Sequence, residues 1–217
     1  MRIYQQYGFN DFLILTGYKS DMLFECFSNN AIILNKNNDR LQIKTDTYSA
    51  TLLNTGENTG SAQRLYKAKD YIKEDTFMLT YCDGLCSVNL HELLHFHNKK
   101  QALVTITAVK PTPRFGVIRF NEEGIITELH EKALKDVNYI SGGYMVCNKT
   151  IFDYYTKTTQ SLEKDLLEKL VSTGKMRAYL HTGFWQCMDT LYEKEMLDRL
   201  CQNNELPWLK EVCNDNT

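Results

Sequence analysis

The run Phe77-Met78-Leu79-Thr80-Tyr81-Cys82-Asp83-Gly84 is a short apolar stretch that stops abruptly at a carboxylate and a glycine. A carboxylate at the end of a buried strand is costly unless a cation or hydrogen-bond donors receive it. In open α/β sheets ligands bind just outside the carboxyl ends of the strands. Asp83 is therefore a candidate ligand of a hard divalent cation. A second acidic motif, Gly183-Phe184-Trp185-Gln186-Cys187-Met188-Asp189-Thr190, joins a strand to a helix. Alone, Asp189 or Thr190 is an ordinary helix cap worth about 1 kcal/mol. Beside Asp83, Asp189 completes a pair that could hold one Mg²⁺, with waters and phosphate oxygens filling the shell. Such an ion stabilises charge on a reacting phosphate.

Between the two acids lies Leu129-His130-Glu131-Lys132. Lys132 follows a strand that should end near the same face, where a lysine can serve as a point charge for a phosphate monoester. A solvated strand-end lysine is the plainer alternative. Gly142-Gly143 allows close backbone approach to a sugar, or simply marks a bulge. Arg114-Phe115-Gly116 follows two prolines and either places a backbone amide in the same cleft or is an ordinary loop. His91-Glu92-Leu93-Leu94-His95 fits the H-E-x-x-H zinc pattern on an expected helix. It is rejected as a metal site: Asn98 occupies the glycine position of the extended motif, and the helix needs its leucines for packing.

The elements that must position these residues alternate. Strand patterns cover 11–18, 31–34, 48–54, 77–82, 103–109, 139–147 and 176–180. Helix patterns cover 20–27, 59–72, 89–99, 150–155, 162–172 and 191–202. Asn121-Glu122-Glu123-Gly124 is a hairpin turn between 116–120 and 125–129. Strands alternating with helices predict an α/β layered fold with a mixed, mostly parallel sheet in one domain over 1–217. Met1 to Gly8 reads as the last turns of a helix closed by a glycine cap. A chain that opens inside a helix and then enters a central strand predicts that an earlier segment is missing.

A net charge of −2 gives no basic surface for nucleic acid, and no apolar run reaches the length of a membrane span. Seven scattered cysteines without a C-x-x-C pair or a signal-peptide pattern suit free thiols in a reducing cytoplasm. There is no G-x-G-x-x-G and no Walker loop, so these residues hold no glycine-rich cradle for a nucleoside triphosphate.

Together the motifs resemble the sugar-phosphate nucleotidyltransferases, and within them the glucose-1-phosphate cytidylyltransferases of bacterial surface-polysaccharide (lipopolysaccharide O-antigen) pathways. The most specific piece is GFWQCMDT. Gly17-Tyr18-Lys19, Thr55-Gly56, Arg64-Leu65, Tyr81-x-Asp83-Gly84, Arg114-Phe115-Gly116, Glu131-Lys132 and Gly142-Gly143 add to it, so the resemblance spans nearly the whole chain. It implies a Rossmann-like three-layer fold of the nucleotide-diphospho-sugar transferase type. It implies transfer of a cytidylyl group from CTP to glucose 1-phosphate, giving CDP-glucose and pyrophosphate. Asp83 and Asp189 fall on the family's metal-binding aspartates, for Mg²⁺. Lys132, beside Glu131, falls on the lysine that grips the sugar phosphate. Thr59 and Arg64 fall in the segment that meets the nucleotide. Cys82 takes the place of a glycine, and the Gly116 and Gly143 backbones line the sugar site. A homo-oligomer stays open.

The departures carry expectations of their own. The family's glycine-rich loop and its strand, roughly 40 residues in a unit of this kind, would precede Met1. Ser61-Ala62-Gln63 and Ala133 also depart from the family pattern, as does Cys82. The chain is therefore expected to be an N-terminally truncated nucleotidyltransferase, inactive alone. The alternatives are a non-catalytic sugar-phosphate-binding or assembly remnant, or an enzyme using another base or sugar.

Overall fold

The computed structural model describes residues 1–111, 116–130 and 138–209. A short helix, Arg2–Gln5 (α1), closes through Gly8 at φ +78°, with the Phe9 amide bonding back to the Tyr4 carbonyl at 3.2 Å. Glycine takes this left-handed turn without a Cβ clash, so the chain can reverse at once into strand Asp11–Thr16 (β1).

β1 pairs in parallel with Ser49–Asn54 (β4). β4 pairs antiparallel with Arg40–Lys44 (β3), and β3 with the edge strand Ile32–Lys36 (β2). Helix Ser20–Ser28 (α2) lays Phe24 against Leu41, Ile43, Ala50 and Leu52, the core under this first sheet. The second sheet runs Met176–Leu180 (β11), Val104–Val109 (β7), Ile140–Asn148 (β10), Thr76–Thr80 (β5) in spatial order. β7 and β11 are parallel, and β10 is antiparallel to both β7 and β5. In each sheet three of the four strands therefore share a direction, although most adjacent pairs are antiparallel.

Helix Ser61–Lys67 (α3) and the π-helical turn Leu162–Leu167, which runs into Glu168–Val171 (α5), pack Leu65, Leu162, Leu166 and Leu170 on Val104, Met145 and Cys147. On the opposite face, α1 and Leu90–Lys99 (α4) pack with Val146 and Tyr144. Asn89 caps α4, its Oδ1 accepting the His91 and Glu92 amides, both at 3.1 Å.

Two antiparallel ribbons lie outside the ladders of the two four-stranded sheets. Gly84–Cys86 (β6) pairs with Trp185–Cys187 (β12), and Val117–Phe120 (β8) with Ile126–His130 (β9). Helix Leu191–Gln202 (α6) follows β12 directly.

The mixed α/β class predicted from the alternation holds. Three strands escape the sequence patterns. β3 alternates only Leu41 and Ile43 with polar residues, and β6 and β12 are three residues each. The helix expected over 150–155 is a 3₁₀ segment, Lys149–Tyr154, and the one expected over 59–72 is α3 followed by a 3₁₀ turn. The expected single sheet is two four-stranded sheets among the described residues.

Candidate active site

Asp83 lies in the turn that joins β5 to β6, beyond the carboxyl end of β5, and is exposed. β6 then pairs with β12 so that Gly84 faces Cys187. One step past that register, the Met188 amide donates to the Asp83 carbonyl at 2.9 Å. Asp189 is the next residue, also exposed. Asp83 and Asp189, 106 positions apart in sequence, thus both follow from the same end of the ribbon, with Met188 opposite Asp83.

Hydrogen bonds hold most of the Gly183–Thr190 stretch. The Phe184 carbonyl accepts the Ser87 amide at 2.9 Å, and the Trp185 Nε1–H donates to the Gly142 carbonyl at 2.8 Å. Thr190 caps α6. Its hydroxyl accepts the Glu193 amide at 3.3 Å, while Glu193 Oε2 accepts the amides of Asp189 and Thr190, each at 2.9 Å. This capping box fixes the backbone that carries the Asp189 side chain. The sequence pattern T-x-x-E at Thr190-Leu191-Tyr192-Glu193 announces this box.

Among the described residues, Cys187, Asp189 and Glu193 bring three metal-capable ligand atoms within 4.8 Å of one another. The Cys187 thiol donates to Asp189 Oδ2 at 3.4 Å, and burial, aided by that bond, pushes its pKa up to about 11. A protonated thiol is no ligand for a hard ion, and Glu193 is held by two backbone amides. Of this group Asp189 is the carboxylate best suited to a hard ion, and Asp83, the other expected ligand, is not among its members. The H-E-x-x-H residues do not gather: His91 Nε2 meets the Tyr7 carbonyl at 2.9 Å, and Glu92 accepts the Tyr179 hydroxyl at 3.0 Å.

Gly143 sits in a bulge of β10 at φ +76°. Its carbonyl accepts the Tyr81 amide at 3.3 Å, and a Cβ there would lie 3.1 Å from the Tyr81 ring. Cys82 is exposed in the same turn as Asp83, and Gly116 immediately precedes β8. Tyr144, beyond Gly143, donates its hydroxyl to the Gly84 carbonyl at 3.0 Å, a tie that pattern reading missed.

Thr59 and Arg64 lie at the ends of β1 and β4. The Arg64 guanidinium donates to the Thr16 carbonyl (2.8 Å), the Thr55 hydroxyl (2.6 Å) and the Glu57 carbonyl (3.1 Å). It packs on Gly17 so closely that a Cβ there would come within 2.2 Å of it. Thr59 donates to the Thr55 carbonyl at 2.6 Å and accepts from Lys67 at 3.3 Å. Thr59 is not the cap of α3; Gly60 holds that position. Glu131, Lys132, Arg114 and Phe115 lie outside the described residues.

In a mixed α/β fold, carboxylates beyond the strand ends stand where ligands bind. The sequence profile of the nucleotidyl transferase family matches residues 2–191, and the chain belongs to that family. Within it the chain is 34% identical to a probable glucose-1-phosphate cytidylyltransferase of Bacillus subtilis (strain 168), covering 96% of this chain and 84% of the relative. It is 30% identical, with the same coverage, to the glucose-1-phosphate cytidylyltransferase of Salmonella typhimurium. The fold matches HddC from Yersinia pseudotuberculosis at a TM-score of 0.65 and 18% identity, over 94% of this chain and 83% of that one. It also matches a putative glucose-1-phosphate thymidylyltransferase from Bacillus anthracis at 0.63 and 16% identity, over 93% and 80%. The chain is thus a nucleotidyltransferase of the glucose-1-phosphate cytidylyltransferase type. No helix among the described residues is long and apolar enough to cross a membrane.

Proposed function

We propose that this chain supplies the metal and sugar-phosphate side of a site that transfers a cytidylyl group from CTP to glucose 1-phosphate, for bacterial surface-polysaccharide synthesis. The observation that supports it is the Met188–Asp83 backbone bond, at the ribbon end from which the segments of Asp83 and Asp189 both leave. In the reaction a phosphate oxygen of glucose 1-phosphate forms a bond to the α-phosphorus of CTP, and the bond to pyrophosphate breaks. Asp83 and Asp189 would hold Mg²⁺, which would supply positive charge against the charge that grows on the phosphates.

The chain's own residues orient the sugar phosphate. Lys132, with Glu131 beside it, grips the phosphate as a point charge. The Gly143 bulge and the Gly116 backbone line the sugar, and Cys82 narrows the approach beside Asp83. Thr59 and Arg64 belong to the nucleotide side. With its guanidinium held by Thr16, Thr55 and Glu57, Arg64 serves there as a positioning residue that stiffens the corner.

Residues 1–217 contain no glycine-rich loop of the kind that cradles a triphosphate, so the half-site reading rests on the sugar-phosphate side. Calorimetric titration with Mg²⁺ present tests the reading. Glucose 1-phosphate is expected to bind more readily than CTP, with no pyrophosphate released when both are supplied. Tighter CTP binding, or clear turnover by the pure chain, would overturn this half-site reading.

A further inference from the structure

An open cavity of about 320 Å³ lies where the turn between β2 and β3, the end of β4 and the last turn of α3 meet. None of its lining residues belongs to β5, β6, β10 or β12, the strands around Asp83, Asp189 and Gly143. Its walls are joined through backbone: the Asn54 amide donates to the Asp39 carbonyl at 2.8 Å, fastening the turn to β4. The lining is rich in donors. Asn37 Oδ1 accepts the amides of Asp39 (3.0 Å) and Arg40 (2.8 Å), and Asn54 Oδ1 accepts that of Gly56 at 3.1 Å. Both side-chain amides thus commit their acceptors to the backbone and keep NH₂ donors. Lys67 Nζ donates to the Thr55 carbonyl (2.6 Å) and the Thr59 hydroxyl (3.3 Å), which leaves a further N–H of the ammonium. Arg40 Nε is buried and has no hydrogen-bond partner among the described residues. Among those residues Asp39 is the one carboxylate of the lining, and it forms no ion pair with Arg40 or Lys67.

Two cations that share one small cavity repel each other, and a buried guanidinium nitrogen without an acceptor costs stability. An anion received between them removes both costs. The donors are of the two kinds that hold phosphate, a planar fork in Arg40 and a point charge in Lys67. We propose that this cavity binds a phosphate monoester dianion, at a site separate from the one proposed for the reacting sugar phosphate. Arg40 and Lys67 take its charged oxygens, and the Asn37 and Asn54 amides with the Tyr71 hydroxyl supply neutral donors. The three terminal oxygens of a monoester can engage donors from several side chains at once, which chloride cannot. Asp39, exposed in the turn, opposes the charge and keeps the binding weak. The inference rests on the lining of this cavity, independently of the cytidylyl-transfer reading.

Proton–nitrogen correlation NMR of the 217-residue chain tests it, with inorganic phosphate as the probe at about pH 8, where phosphate is doubly charged. Ionic strength is held constant and no divalent metal is added. The amide signals of 37–40 and 67–71 are expected to shift saturably with phosphate, while sodium chloride at the same ionic strength leaves them in place. Arg40→Gln is expected to weaken phosphate about tenfold, and Asp39→Asn to tighten it about threefold. The gain in Asp39→Asn cannot come from misfolding, so the pair separates charge from damage to the fold. Lys132→Ala, which removes the proposed grip on the reacting sugar phosphate, is expected to leave these shifts unchanged, so failure here is distinct from failure of the cytidylyl-transfer reading. Equal affinity in Arg40→Gln, equal shifts with chloride, or loss of the shifts in Lys132→Ala would each overturn the proposal.

Discussion

The indole of Trp185 donates its Nε1–H to the Gly142 carbonyl at 2.8 Å, tying the short β6–β12 ribbon to the bulged strand β10. Through this bond the segment bearing Asp189 and the glycine pair beside Tyr81 share one frame. Trp185→Phe keeps most of the ring packing and leaves the carbonyl without its donor. A loss of about 1–2 kcal/mol in urea unfolding is expected, with weaker glucose 1-phosphate binding. Unchanged values for both would mean that the bond positions nothing.

Gly143 should tolerate no side chain. Gly143→Ala would force a Cβ into a left-handed conformation and set it 3.1 Å from Tyr81. The expected cost is about 1–2 kcal/mol. Gly84→Ala is the matched control: its added Cβ would meet only the Gly142 carbonyl, at 3.9 Å. Its effect on the melting temperature should be much smaller.

The capping box should matter for geometry as well as stability. Thr190→Ala removes the hydroxyl that accepts the Glu193 amide. About 1 kcal/mol of stability is expected to be lost. Affinity for a divalent cation should fall too, because the backbone of Asp189 is held by the other arm of the same box. Restoration of both by Thr190→Ser would separate the hydroxyl's role from mere bulk.

His97 gives the fold an acid sensitivity unrelated to the site. It is buried, with Nδ1 2.9 Å from the Thr105 hydroxyl. Burial lowers its pKa from the usual 6.5, with Asn148 opposing. In the folded state the ring therefore stays neutral at pH values where the unfolded chain already takes up a proton. This contribution is fully present above the unfolded pKa of 6.5 and is lost as pH falls from there through the depressed folded value. Urea melts across that window should show stability dropping on acidification, and His97→Phe should flatten the trend. An equal slope in the variant would place the sensitivity elsewhere.

Much of this architecture was legible because local chemistry and tertiary placement agree. The Asn121–Gly124 turn closes as its residues predict: Asn121 Oδ1 accepts the Glu123 and Ile125 amides, and Gly124 takes φ +80°. Asn89 caps α4 by the same logic. The ribbon that unites Asp83 and Asp189 was not legible as structure. Three-residue strands have no measurable period, and these two exist only because each pairs with the other across about a hundred positions. Arg64 illustrates the converse. The family resemblance suggested a ligand contact, while the hydrogen bonds it makes to Thr16, Thr55 and Glu57 appear only once β1 and β4 are brought together.

The joint metal role of Asp83 and Asp189 is tested most directly by titrating Mn²⁺, as a paramagnetic stand-in for Mg²⁺, into the chain and its Asp83→Asn and Asp189→Asn variants under electron paramagnetic resonance. One site is expected in the wild-type chain, weakened about tenfold or more in each variant with the melting temperature nearly unchanged. Undiminished Mn²⁺ binding by either folded variant would contradict the account.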